Sequence, residues 1–155
     1  MTRRVERRAV LAGIMSLAFA SASRAEAGPE LVVTKDPSCG CCNAWVEHMR
    51  ANGFSATVRE APVNPLKVKL GVPRDLASCH TAQIAGYVVE GHVPASAVRR
   101  LLAEKPKIRG LAVPGMPVGS PGMEVEGSEP ETYEVVQFGP AGRKVFARYR
   151  RAAPA

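Results

Sequence analysis

The chain has 155 residues, which suits one domain with a full hydrophobic core and is too short for two domains of ordinary size. Its formal net charge is +7, but the basic residues form no clustered run interleaved with aromatic residues, which argues against a nucleic-acid-binding protein. Much of the positive charge lies in the first 27 residues, so we attribute it to a targeting segment.

Residues 1–27 have the organisation of an export signal. A basic stretch precedes an apolar stretch at 9–20, and small residues at a cleavage-site spacing end at Ala27. The pair Arg7-Arg8 also fits the twin-arginine route, so this route and the general secretory path both remain open. The apolar stretch is too short and interrupted for a membrane anchor. We therefore expect a periplasmic protein that is cleaved after Ala27 and has no transmembrane segment in its mature chain.

Three of the four cysteines follow the first predicted strand. The apolar run at 31–34 predicts a short strand buried on both faces, and Cys39, Cys41 and Cys42 come between it and a helical pattern at 42–51. The thiols are thus expected at a strand-to-helix turn, where the N–H groups of the first helical turn favour thiolate. They are candidate redox or metal-binding sulfurs.

The helix at 42–51 is expected to be capped by Asp36 or Ser38, to bury Trp45, and to end at Asn52-Gly53. A strand at 54–58 follows and completes a β-α-β unit. This unit places the cysteines at the carboxyl end of the first strand, where open α/β sheets bind ligands.

The middle of the chain has weaker signals. Residues 62–70 predict a short helix, and Cys79-His80 then fall on a connection without periodicity. Residues 84–90 predict a third strand, and residues 94–104 predict an amphipathic helix with proline in its first turn.

The last third combines an irregular segment with a hairpin. Residues 110–123 are too rich in glycine and proline for a helix or a strand ladder and too apolar for a linker, so they predict an ordered loop. Residues 133–138 and 144–149 alternate like the strands of a hairpin, and residues 151–155 are expected to fray. The whole pattern predicts an α/β fold with one domain at 28–150, a mixed sheet with flanking helices.

This order of elements resembles a thioredoxin-like fold. More narrowly, the chain resembles the CopG-type periplasmic copper-resistance proteins over residues 30–150, and three motifs carry the resemblance: Cys39-Gly-Cys41-Cys42, Cys79-His80 and the glycine-, proline- and methionine-rich run 113–124. The resemblance implies a thioredoxin-like metal-binding domain. It also implies a multinuclear copper cluster held by the four cysteines, and a role in interconverting Cu(I) and Cu(II) in copper resistance.

The donor chemistry agrees with copper. Cu(I) prefers thiolate, thioether and imidazole ligands, and about four Cu(I) ions bridged by four thiolates form a core without net charge. Zn(II) with the same sulfurs would leave a charge of about −2, and the paired C-x-x-C knuckles of zinc sites are missing, so zinc is the lesser candidate. The expected metal ligands are Cys39, Cys41, Cys42, Cys79 and His80, with Met116, Met123 and His48 as further candidates, and His92 is left outside this set.

Two other functions remain open. A thiol–disulfide oxidoreductase would use Cys39 and Cys42, and a cis Val113-Pro114 bond opposite the thiols would support it, but Cys41 could attack its mixed disulfides. A passive mononuclear metal chaperone would need the same ligands. A purely structural disulfide framework is disfavoured, because a bridge within residues 39–42 closes too short a loop. The expected partners are copper ions and other periplasmic copper-handling proteins.

Overall fold

The computed structural model describes residues 28–155, which form one mixed eight-stranded sheet with three α-helices. This agrees with the predicted α/β fold class. The expected signal segment, residues 1–27, lies outside the described residues. Within residues 28–155, no helix combines the length and the apolar character needed to cross a membrane.

The strands and helices alternate in the first two thirds of the chain and give way to strands alone at the end. In chain order the elements are β1 (Leu31–Lys35), α1 (Gly40–Ala51), β2 (Ala56–Glu60), α2 (Val63–Leu70), a 3-10 turn (Arg74–Leu76), β3 (His80–Ile84), β4 (Tyr87–Glu90), α3 (Ala95–Glu104), β5 (Gly110–Ala112), β6 (Thr132–Gly139), β7 (Gly142–Arg150) and β8 (Ala153–Pro154). The sheet order is β2-β1-β3-β4-β5-β6-β7-β8. The β1/β2 and β4/β5 pairs are parallel, and the other neighbours are antiparallel.

The predicted β-α-β unit is present, with a different helix start. Helix α1 begins at Gly40 with Cys39 as its N-cap, and no side chain caps it, so the prediction of a cap by Asp36 or Ser38 was wrong. The backbone makes the turn instead, because the Cys39 N–H donates to the Asp36 carbonyl at 3.1 Å. The helix ends at Ala51 with Asn52 as its C-cap, which agrees with the predicted stop at Asn52-Gly53.

The segment 84–90 is not one strand, as we predicted, but the end of one strand and the whole of the next. The hairpin turns at Ala85-Gly86, where both residues have positive φ, 48° and 84°, as two-residue turns between twisted strands require. As a consequence, His80 is the first residue of the interior strand β3 and not part of a connection. Cys79 lies immediately before it.

The C-terminal half departs from the predictions in two places. Residues 110–112, predicted as part of the loop, form β5 and pair with both β4 and β6. The β6–β7 hairpin is as predicted, but residues 151–155 contain β8, which pairs with the end of β7 and does not simply fray. The chain reverses through Arg151, whose φ is 56°.

The core has two parts on opposite faces of the sheet. The larger part joins α1 and α3 to the sheet through residues such as Trp45, Val89 and Leu101, and the Trp45 Nε1–H donates to the Val93 carbonyl at 2.9 Å. The smaller part includes Leu76 and Val88. Neighbouring residues of a strand point to opposite faces, so Val88 and Val89 of β4 belong to different parts.

A buried ion pair between Lys67 and Glu90 joins α2 to strand β4. Lys67 Nζ lies 2.5 Å from Glu90 Oε1, and both side chains are almost fully buried. The carboxylate also accepts hydrogen bonds from Thr81 Oγ1 at 2.7 Å and from the Ser78 N–H at 2.6 Å. Glu90 therefore holds the segment that leads into Cys79.

Glu90→Ala should destabilise the metal-free protein strongly. The substitution leaves the Lys67 ammonium buried without its partner, and such losses cost about 3–5 kcal/mol. Urea denaturation measures the free energy of unfolding. The matched control is Glu134→Ala, which removes an exposed pair with Arg148 and should cost less than about 1 kcal/mol. Equal costs for the two variants would contradict the structural role of Glu90.

Candidate metal centre

Four cysteine side chains meet where β1 ends and β3 begins. Antiparallel pairing places Lys35 of β1 opposite His80 of β3, so Cys79 comes beside the cysteine turn. The Sγ atoms of Cys39, Cys41, Cys42 and Cys79 all lie within 4.8 Å of one another. Cys41 Sγ is 3.6 Å from Cys39 Sγ and 4.0 Å from Cys79 Sγ.

Two of these cysteines are joined covalently in the structure. Cys39 and Cys42 form a disulfide at the first turn of α1, and Cys41 and Cys79 are free. This is the pair that the oxidoreductase alternative requires. Two thiols remain available in this state, and reduction would restore all four.

A buried lysine side chain binds the backbone just before the cysteine turn, residues 39–42. Lys35 is almost fully buried, and its Nζ donates to the carbonyls of Asp36 at 3.2 Å and Pro37 at 3.4 Å. The same ammonium lies 3.3 Å from Glu60 Oε1. The backbone just before the thiols is thus fixed by a charged side chain whose own charge is balanced.

The loop at 113–131 covers the start of α1. Gly122 has a φ of +86°, and a Cβ at this position would lie 2.7 Å from the Trp45 backbone nitrogen. Only glycine allows so close an approach. The cis Val113-Pro114 bond that we considered is not present, since residues 28–155 contain no cis peptide bond. The start of the loop is held to the end of β4, because the Val113 N–H donates to the Glu90 carbonyl at 3.0 Å.

His80 is fully buried beside Cys79. Its Nδ1 lies 3.3 Å from Cys79 Sγ, and its ring packs against Trp45 with a centroid distance of 4.4 Å. Its Nε2 has no hydrogen-bond partner. Burial, and secondly the charges of His92 and Lys67, lower the pKa of His80 well below its usual range, so the imidazole is neutral.

His92, which the sequence analysis left outside the ligand set, also contacts Cys79. Its Nε2 lies 3.0 Å from Cys79 Sγ, and its Nδ1 lies 2.8 Å from the Pro121 carbonyl. A carbonyl only accepts hydrogen bonds, so Nδ1 carries the proton and the Nε2 lone pair faces the sulfur. Burial lowers the pKa of His92, so this ring is neutral too. The sequence analysis missed this contact because it did not place the end of β4. That strand ends at Glu90, which pairs with Thr81 near the start of β3, so His92, two residues later, comes close to Cys79.

A close backbone approach brings the two histidine-bearing segments together. The Gly91 N–H donates to the His80 carbonyl at 3.1 Å. Gly91 has a φ of +70°, and a Cβ there would lie 2.5 Å from Ser78 Oγ and 2.7 Å from the Val113 carbonyl. Three chain segments therefore converge at this glycine, and Cys79 lies among them.

The remaining candidates lie at different distances from the thiols. Met116 Sδ is 4.0 Å from Cys41 Sγ, and Met116 is 51% exposed, so it stands at the solvent side of the cluster. Met123 supports the loop through its backbone, which bonds to Ser120 and Gly119. His48 Nε2 accepts a hydrogen bond from the Ala95 N–H at 3.2 Å, and the metal-type clusters of the described residues do not include it.

The environment of Cys79 opposes spontaneous ionisation. Burial, reinforced by the neighbouring Cys41, raises the pKa of the Cys79 thiol to about 11. The thiol is therefore protonated at neutral pH, and a bound metal ion must displace its proton. The lone pair of His92 Nε2 lies at the sulfur and accepts a hydrogen bond from the protonated thiol.

Comparison with known proteins connects this chain to copper resistance. A family model described as "Protein of unknown function, DUF411" matches residues 76–123, the part that carries Cys79, His80 and His92. A search of curated proteins gave no significant match. Two solved structures are similar to the chain, and both are titled "Copper resistance protein copG".

The similarity to these structures is extensive. Form 2 has a TM-score of 0.74 and 44% sequence identity, and the match covers 79% of this chain and 98% of that chain. Form 1 has a TM-score of 0.72 and 44% identity, with 78% of this chain and 98% of that chain covered. With this identity over nearly the whole length of the solved structures, the chain belongs to the CopG family of copper resistance proteins.

Proposed function

We propose that this chain is an exported protein of copper homeostasis that holds Cu(I) in a cluster bridged by cysteine thiolates. The observation that carries the proposal is the meeting of four sulfurs, from Cys39, Cys41, Cys42 and Cys79, within 4.8 Å. Membership of the CopG family supports copper as the metal, because the similar solved structures are named copper resistance proteins.

The donor set suits Cu(I) better than zinc. Sulfur ligands are soft, and the thioether of Met116 adds a further soft donor at the solvent side. Cys42 is fully buried, so the net charge of the metal core matters. About four Cu(I) ions neutralise four thiolates, whereas one Zn²⁺ would leave about two negative charges beside the core.

The proposal includes interconversion of Cu(I) and Cu(II), in which each copper ion exchanges one electron with a separate redox partner of the periplasm. Thiolates favour Cu(I), whereas imidazole suits both oxidation states, and the neutral imidazoles of His80 and His92 lie beside Cys79 at the buried side of the cluster. The Cys39–Cys42 disulfide must be reduced by two electrons before all four thiols can bind. The number of thiols that can bind copper therefore depends on whether the Cys39–Cys42 disulfide is reduced.

The proposal also extends to fold and location. The sheet order β2-β1-β3-β4, with Cys39, Cys41 and Cys42 at the start of the helix that follows β1, supports a thioredoxin-like metal-binding domain at 28–150. The signal-like segment at 1–27 supports export to the periplasm, by either of the two routes. Copper ions, and other copper-handling proteins of that compartment, are the proposed partners.

Export should produce a chain that begins at Gly28. The small residues ending at Ala27 form the cleavage site, and intact mass of the protein isolated from the periplasm measures the new terminus. A protein that is found there still beginning at Met1 would contradict cleavage. Replacement of Arg7 and Arg8 by lysine separates the routes, because only the twin-arginine route depends on that pair.

Reduced wild-type protein should bind about four Cu(I) ions per chain, and Cys79→Ser should lower this number. The three sulfurs of the cysteine turn leave one side of the site open, and Cys79 closes it. Anaerobic titration gives the stoichiometry, and X-ray absorption tests for a short copper–copper distance. His48→Ala is the matched control, because His48 lies outside the cluster. One copper per chain in wild type and Cys79→Ser alike would support a mononuclear chaperone instead.

The Cys39–Cys42 disulfide at the start of α1 favours a second candidate, a thiol–disulfide oxidoreductase. Cys41 argues against it, because its Sγ lies 3.6 Å from Cys39 Sγ and can attack a mixed disulfide formed there. The two functions differ in how they depend on this third sulfur.

We expect slow insulin reduction by the wild-type protein and faster reduction by Cys41→Ser. The substitution removes the competing thiol and leaves the Cys39–Cys42 pair intact. The turbidity of reduced insulin measures the rate, and Cys79→Ser serves as a comparison. Wild-type activity equal to that of a thioredoxin, unaffected by either substitution, would replace the copper proposal with the oxidoreductase.

A further inference from the structure

We infer that the tip of the β6–β7 hairpin, together with the segment that leads into β5, is a docking surface for an acidic segment of a partner protein. This surface lies away from the thiols, so the inference goes beyond the proposed copper function. We call it the basic tip, and it is defined by four cationic side chains: Lys107, Arg109, Arg143 and Lys144.

The fold brings together two basic segments that are separate in the sequence. The Arg109 N–H donates to the Phe138 carbonyl at 2.8 Å, so the approach to β5 runs beside the end of β6. Two adjoining grooves result, with volumes of about 400 and 330 Å³. Arg109 lines the first groove, and Lys107 and Lys144 line the second. Arg143 lines both, and no acidic side chain of the described residues lines either one.

Most of this positive charge is not balanced within the described part of the chain. Of the four cations only Arg143 has an acidic partner, Asp75, and both of these side chains are more than half exposed. Further along the same hairpin the pattern differs, because Arg148 pairs with Glu134 at 3.0 Å. Cations that are gathered without partners raise the local positive potential, which attracts a negatively charged group.

The basic tip lies at the end of β5 that is farther from the metal centre. Arg109 comes directly before this strand, whereas Val113 follows it and donates its N–H to the carbonyl of Glu90, two residues before His92. A strand advances about 3.3 Å per residue, so Arg109 and Val113 are about 13 Å apart along the strand direction. A segment bound at the basic tip therefore lies away from the four thiols.

The grooves suit an acidic polypeptide better than an apolar helix or a lipid bilayer. Binding at a bilayer surface usually needs apolar side chains that enter it. None of the large apolar side chains that are exposed in residues 28–155 lines either groove; these are Val68, Met116, Val125 and Val145. Gly139 and Gly142 line both grooves and carry no side chain, so an extended segment can cross the tip and place carboxylates on either side.

A second copy of this chain is a poorer occupant than a different protein. The basic tip of one copy repels that of another, and the acidic stretch at 124–131 is engaged within its own chain. Glu124 and Glu131 accept hydrogen bonds from backbone N–H groups of their own loop, and Glu129 pairs with Arg150 at 3.0 Å. These carboxylates are therefore not free to fill the grooves of a neighbouring copy.

The test measures the binding of a fluorescein-labelled peptide of six Glu-Gly repeats to the exported protein by fluorescence anisotropy at low ionic strength. We expect it to bind at least about tenfold more tightly than the same peptide with glutamine in place of glutamate. Salt at about 1 M, where the Debye length is about 3 Å, should abolish this difference. Nuclear magnetic resonance shifts should be confined to the backbone amides at 106–110 and 137–145.

Arg109→Gln/Lys144→Gln should weaken binding of the glutamate peptide by about tenfold, because both exposed side chains line the grooves. The matched control is Arg59→Gln/Arg148→Gln, which makes the same change in net charge at exposed residues outside the grooves and should bind like the wild type. Equal losses in the two double variants, or equal affinity of the wild type for both peptides, would overturn the inference.

Two further measurements test the other occupants, and we expect neither interaction. Cosedimentation with vesicles of phosphatidylcholine and phosphatidylglycerol in equal parts, abolished by Arg109→Gln/Lys144→Gln, would assign the basic tip to a membrane and overturn the inference. Self-association of the wild type that this variant lacks would assign it to a second copy instead. Cys79→Ser should bind the glutamate peptide like the wild type, so the copper proposal and this inference can fail separately.

Discussion

The antiparallel pairing of β1 with β3 is the constraint on which the metal centre depends. It places the residue before His80 beside the turn that follows Lys35, and so joins Cys79 to three cysteines that are distant in sequence. Two buried charged groups hold the two sides of this junction. Lys35 binds the carbonyls before the cysteine turn, and Glu90 binds the N–H before Cys79.

These buried charges are tolerated because each is compensated. Lys67 and Thr81 satisfy the Glu90 carboxylate, and Glu60 lies beside the Lys35 ammonium. A buried charge with several partners fixes geometry more sharply than apolar contacts do, because removing any one partner leaves an unsatisfied group. The backbone that carries the disulfide-bonded and the free thiols is therefore held from both sides.

Local signals predicted the opening of the fold and not its middle. The apolar run of β1, the helical spacing of α1 and the stop at Asn52 are all read from neighbouring residues, and these elements are present. The β3–β4 hairpin was missed because its turn has alanine at a position that usually holds Asn, Asp or Gly. In addition, the polar residues His80 and Thr81 of β3 are buried only because distant side chains surround them.

The same error hid part of the candidate site. The four cysteines stood out by their spacing, and the structure brings them together. His92 was undervalued because its neighbourhood depends on where β4 ends, which the merged strand at 84–90 obscured. His48 stays a predicted ligand only: its Nε2 accepts a hydrogen bond from the Ala95 N–H, and the metal-type groups of the described residues do not include it.

The short strand β8 limits edge-to-edge association between copies of this protein. An open sheet presents unpaired N–H and C=O groups along its outer strands, and these can template pairing between molecules. Here β8 is only two residues long, ends in Pro154 and covers only the end of β7, while the uncovered part of β7 carries Arg143 and Lys144. A proline on one stretch and like charges on the next leave this edge with little capacity to add a foreign strand.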